Sequence, residues 1–279
     1  MVNLIEGRAG FELLGRQYPF AKNVVIENTS IAAFRCAWLV PDTAVDDEVV
    51  MYIHGGGFIY GSVNSHAAMV SHIAKAVNRK MLVIDYRLAP EHPFPGGLND
   101  CVSVIETFCK QHPKSTFGIM GDSAGGNLAM AMQLQLKAIK GPMPQYSVVI
   151  SPWVDLECKN PSFSRNKEMD AILTQGYLQI CARMYAGERN LSDGLLSPVN
   201  ADLAGLPPAL IMYGSAEVLM DDSIHLHQQF GKAGVPSECV AFEGEQHVWL
   251  FNDIATYASK KALEGMAVFV AKHRLVMPS

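Results

Sequence analysis

Apolar positions along the chain follow two alternating rhythms. Short, nearly continuous apolar runs at Asn23–Glu27, Ile31–Val40, Glu48–Ile53, Lys80–Tyr86, Ser115–Gly121, Gln145–Ser151, Ala209–Tyr213 and Glu238–Phe242 read as strands. Asn28-Thr29-Ser30 supplies the turn expected between the first two. Helical spacing of apolar residues appears over Ser65–Asn78, Leu128–Lys140, Asp221–Ala233 and Asn252–His273, and in a segment ending near Gln111 that follows a Pro- and Gly-rich loop at 89–97. Continuous apolar strands that alternate with helices predict an α/β fold: an eight-stranded, mostly parallel sheet with helices on both faces.

One stretch breaks the alternation. Nearly sixty residues separate Ser151 from Ala209, more than a single crossover helix requires. Leu173, Tyr177, Ile180, Cys181 and Met184 fall on one face of a helix there, and Pro152, Pro161, Pro198, Pro207 and Pro208 punctuate the flanks. We read 155–200 as a small helical cap over the carboxyl ends of the strands, where open α/β sheets bind ligands. That leaves 22–154 and 201–279 as the main domain and 1–21 as an N-terminal segment.

Composition narrows the classes. The 279 residues are 49% hydrophobic and 18% charged, with net charge −5, enough for one large domain. Interspersed charges argue against nucleic acid or an anionic membrane surface as partner. Met1–Gly10 has no apolar run, so it does not read as a signal peptide, and no segment reaches the ~20 apolar residues of a membrane span. A cytoplasmic protein is expected. The six cysteines form no C-x-x-C pair and read as reduced thiols. His225-x-His227 is a poor metal candidate, because i,i+2 residues on a helix do not face each other. No metal or cofactor is expected.

The chemistry centres on Gly121-Asp122-Ser123-Ala124-Gly125. Gly-x-Ser-x-Gly between a strand and a helix is the pattern of a nucleophile elbow. A serine hydroxyl needs a base to take its proton and a third group to orient that base. With the chain order Ser, acid, His, His247 is the base by position, on the loop after a late strand. The acid is Glu217, just past its strand, with Asp221 as the alternative; Asp221 and Asp222 also suit the first turn of a helix without any catalysis. His54-Gly55-Gly56-Gly57 follows an early strand. Glycines there let backbone N–H groups approach a developing oxyanion, so Gly56, Gly57 and Ala124 are the expected donors. His54 would fix that loop through hydrogen bonds. No Gly-Lys-Ser/Thr follows the glycines, which weakens a phosphate-loop reading.

Together with Asp85-Tyr86-Arg87-Leu88-Ala89-Pro90-Glu91-His92-Pro93-Phe94-Pro95 and Ser151-Pro152-Trp153, these motifs resemble those of the bacterial hormone-sensitive-lipase-like esterases. The resemblance runs from about residue 48 to the C-terminus. It implies an α/β-hydrolase fold with a cap and hydrolysis of short- to medium-chain carboxylic esters. It also implies Ser123, Glu217 and His247 as triad, no cofactor, and in many members a homodimer. Arg87 and Glu91 would brace a structural loop. Two departures stand out. Glu217-Val218-Leu219-Met220-Asp221-Asp222 replaces the family's Asp-Pro-Leu-x-Asp-Glu, and the segment before the first strand is short. The latter predicts a more open site, tolerant of bulky groups. The same triad would also serve an amidase, thioesterase or lactone hydrolase, and the same scaffold a non-catalytic small-molecule receptor.

Overall fold

A computed structural model describes residues 3–273. Eight strands form one sheet: β1 (Val24–Ile31), β2 (Phe34–Pro41), β3 (Val45–Ile53), β4 (Arg79–Ile84), β5 (Thr116–Asp122), β6 (Ser147–Ile150), β7 (Ala209–Gly214) and β8 (Ser237–Phe242). Their order is β1-β2-β4-β3-β5-β6-β7-β8. β2 runs antiparallel to both neighbours, and every other pairing is parallel. The parallel strands are apolar on both sides because both sides are covered. On β3, Val50 and Tyr52 belong to one core, while Val49, Met51 and Ile53 belong to the other.

The first core lies under α2 (Val63–Val77) and α8 (Tyr257–Lys272). The second lies under α3 (Gly96–Gln111), α4 (Ala124–Ala138) and α7 (Met220–Lys232). Between β6 and β7 the chain adds α5 (Ser162–Arg165) and α6 (Gln175–Ala186), and ahead of β1 it forms α1 (Leu4–Glu12). Among the described residues no helix is long and apolar enough to cross a membrane.

The structure corrects three sequence expectations. The first hairpin does not turn at Asn28-Thr29-Ser30, which pair with Ala37, Cys36 and Arg35 inside the ladder. It turns at Ala32-Ala33, both at positive φ (51° and 67°). A two-residue turn of that hand matches the twist of the strands, and this geometry overrides the preference of alanine. On α6 the buried face is Leu178, Cys181, Ala182 and Tyr185, whereas Ile180 is exposed. The last helix starts five residues later than Asn252, after a short helical turn at Trp249–Phe251.

Candidate active site

Ser123 stands where β5 turns into α4. Its backbone has φ 52° and ψ −122°, a conformation that costs a non-glycine residue on the order of 1–3 kcal/mol and persists only where the surroundings enforce it. Enforcement comes from close packing. A Cβ on Gly125 would overlap the carbonyl oxygens of Ile53 and His54, so only glycine lets α4 sit against the end of β3. The Ser123 N–H donates to Ile150 O at 2.9 Å, and its carbonyl accepts from Trp153 N at 3.1 Å.

His247 Nε2 lies 2.9 Å from Ser123 Oγ. Its Nδ1 lies 2.6 Å from Glu217 Oε2. The other carboxylate oxygen accepts the Gly214 N–H at 3.2 Å. Glu217 is fully buried; burial pushes its carboxyl pKa up, and hydrogen bonds from His247 and Ser151 offset part of that rise. The structure therefore brings Ser123, His247 and Glu217 into one chain of contacts.

Asp221 and Asp222 face elsewhere. Asp221 accepts from Ser162 N at 2.8 Å and pairs with Arg165 at 2.7 Å. Asp222 accepts from the backbone N–H groups of Val154 and Asp155 and from Asn160 Nδ2 at 2.6 Å. Both aspartates anchor residues 154–165.

Gly56 adopts φ 110° and Gly57 φ 61°. The Gly56 carbonyl accepts from Ile59 N and Tyr60 N, and this tight turn is closed to any residue with a Cβ at Gly56. Gly56 and Gly57 line the same cavity as Ser123 and His247. The Ala124 amide opens α4, so it belongs to the N–H groups that have no acceptor within a helix. Behind the loop, His54 Nδ1 contacts Gly55 O at 2.9 Å, and the ring stacks on Tyr86 at 4.3 Å. Burial, reinforced by the neighbouring His66, lowers its pKa to about 3, so it is a neutral brace. Arg87 pairs with Asp100 at 2.6 Å, and Glu91 with Arg8 at 2.7 Å.

The cavity over Ser123 holds about 230 Å³. Ile172, Leu173 and Leu178 from the segment between β6 and β7 form one wall, and Phe251 another. Phe11 and Leu14 close a third side, so the short N-terminal segment still reaches the site that the sequence left open. Several contributors had no sequence signal. Asn166 Nδ2 donates to Ser215 O and Glu217 O at 3.0 and 2.7 Å, and Asp170 Oδ2 accepts from Val218 N at 2.7 Å. Asp122, within the elbow motif, accepts from Tyr52 Oη at 2.8 Å and Gly55 N at 3.1 Å. Among the described residues no group of three or more His, Cys, Asp or Glu is placed to hold a metal ion. All six cysteines are free.

A serine–histidine–carboxylate chain at the carboxyl edge of such a sheet is the arrangement of an α/β-hydrolase. The alpha/beta hydrolase fold family model matches residues 50–251, and the chain belongs to that family, among the bacterial hormone-sensitive-lipase-like esterases. It is 34% identical over 234 residues to an acetyl-hydrolase of Streptomyces hygroscopicus, covering 84% of this chain and 78% of that protein. It is 31% identical over 265 residues to an esterase of Acinetobacter venetianus, covering 94% and 87%. A crystal structure of an esterase from the bacterial hormone-sensitive lipase family superposes with TM-score 0.94 at 33% identity, over 98% of this chain and 92% of that one. The protein is a carboxylic ester hydrolase.

Proposed function

We propose that the chain is a serine carboxylesterase acting on neutral, short- to medium-chain esters through an acyl-enzyme. The observation that carries this reading is the continuous contact from Ser123 through His247 to Glu217 at the floor of an apolar cavity. His247 Nε2 takes the proton of Ser123 as Oγ attacks the ester carbonyl, and Glu217 stabilises the imidazolium. The oxyanion sits against the amides of Gly56, Gly57 and Ala124. His247 then gives the proton to the departing alcohol, and water repeats the sequence to release the acid.

Size and polarity support the substrate class. A cavity of about 230 Å³ lies below the roughly 300–1,000 Å³ of pockets for drug-sized ligands, which favours short acyl groups over long lipid chains. No lysine or arginine among the described residues lines it, so a charged acid or alcohol portion would lose its water without gaining a partner. Residues 155–200 serve as the cap, with 22–154 and 201–279 as the catalytic domain.

The test is initial rates on p-nitrophenyl esters from acetate to palmitate, with Ser123→Ala alongside. Activity peaking at short chains and falling by roughly 10⁴-fold or more in the variant supports the reading. Undiminished activity in the variant removes Ser123 from the mechanism. A peak at palmitate overturns the chain-length assignment.

A further inference from the structure

Ser151, at the carboxyl end of β6, has no part in the steps above. Its side chain is fully buried, and its φ of 47° lies in the left-handed region, which a non-glycine residue occupies at a cost. Val248, directly after the base, has φ 46°, and for a β-branched residue that is a true outlier. The two strained residues meet, because the Val248 N–H donates to Ser151 Oγ at 3.1 Å. A hydroxyl that accepts still has its own proton to place, and the Ser151 hydroxyl helps hold down the pKa of the buried Glu217 carboxyl. The Ser151 backbone N–H donates to Met212 O on β7 at 2.7 Å, so the sheet fixes where the hydroxyl stands.

We propose that Ser151 is a positioning residue for ester hydrolysis, its hydroxyl setting Glu217 and the His247 loop in register with each other. This rests on the triad reading given above. The hydroxyl sits where the loops after β6, β7 and β8 converge. Strain stored at Ser151 and Val248 is consistent with a site built for register between loops rather than for stability of either. A turn serving only the fold would more economically place glycine at φ 47°.

The experiment uses Ser151→Ala and Ser151→Gly, with Ser123→Ala as reference. Both Ser151 variants are expected to lose roughly ten- to a hundredfold in kcat, the worth of a hydrogen bond to a charged group, with KM changed less than about twofold. Glycine relieves the backbone at φ 47°, so Ser151→Gly keeps its Tm while losing rate, and a fold defect cannot account for that pair of results. The acid limb of kcat/KM should move to higher pH. Without the donor, the Glu217–His247 pair holds its proton more tightly; His247 and Asp170, the charged groups facing Glu217, are untouched by these changes. In a Glu217→Ala background, Ser151→Ala should cost several-fold less than in the parent, because the carboxylate that the hydroxyl sets in register is gone. Full activity in both Ser151 variants, or the same proportional loss with and without Glu217, overturns the proposal. Activity surviving in Ser123→Ala instead overturns the triad reading beneath it.

Discussion

The proposed nucleophile and the proposed acid are held in opposite ways. Ser123 is held by shape: β5 and α4 leave no space at Gly125 for a side chain, and the strained serine backbone has nowhere to relax. Glu217 is held by polar clamps from distant segments. Asn166 grips the carbonyls of Ser215 and Glu217, Asp170 accepts the Val218 N–H, and the Gly214 N–H holds the carboxylate itself. Steric locking tolerates almost no substitution, yet it is local in sequence. Polar clamping is divisible, since each hydrogen bond contributes roughly 0.5–1.5 kcal/mol net and more when a buried partner is orphaned. It also ties the Glu217 loop to the segment between β6 and β7 that walls the cavity.

That contrast orders the expected effects. Glu217→Gln should lower kcat by about 10³- to 10⁴-fold with the fold intact, because the imidazole loses both its orientation and its counter-charge. Asp221→Asn, the control, should stay within about tenfold of the parent. Steady-state kinetics on a short-chain ester separates the two; the reverse ranking would make Asp221 the acid. Gly125→Ala should destabilise the protein by about 3 kcal/mol through forced backbone displacement, read by urea unfolding, with activity lost together with the elbow. Asn166→Ala should be milder, about 2 kcal/mol for the two hydrogen bonds lost from the Ser215 and Glu217 carbonyls, with kcat reduced more than KM. Wild-type kinetics in that variant would show the acid loop to be self-supporting.

The smallest effect concerns His54. Its pKa falls from the ordinary 6.5 to about 3, by burial first and the neighbouring His66 second. Between those values the unfolded chain binds a proton that the folded chain refuses, so stability is complete above about pH 6.5 and declines as pH falls toward 3. His54→Gln should lower stability at neutral pH yet flatten that acid decline. An unchanged slope in urea midpoints across this range would contradict it.

The same contrast explains what the sequence revealed. The sheet was legible because buried parallel strands are apolar on both faces, and the elbow because steric locking demands Gly121 and Gly125 within two residues of Ser123. The histidine followed from chain order. The acid remained open between Glu217 and Asp221, because what separates them is the direction each side chain takes, and Ser162 and Arg165 claim Asp221 across 59 and 56 residues of chain. Asn166 and Asp170 left no trace, since neither residue type is unusual in a loop. The hairpin at Ala32-Ala33 was missed because turn-forming residues at 28–30 lie inside a strand, and Ile180 because α6 is only partly covered.

The most direct test of the central claim is covalent trapping. A small organophosphate such as diethyl p-nitrophenyl phosphate is added to the protein, and the adduct is located by peptide mass spectrometry while residual esterase activity is followed. We expect one adduct, on Ser123, with activity falling in step with labelling, and none in His247→Ala on the same timescale. Full activity with Ser123 fully labelled, or an adduct elsewhere that tracks the loss, would contradict the account.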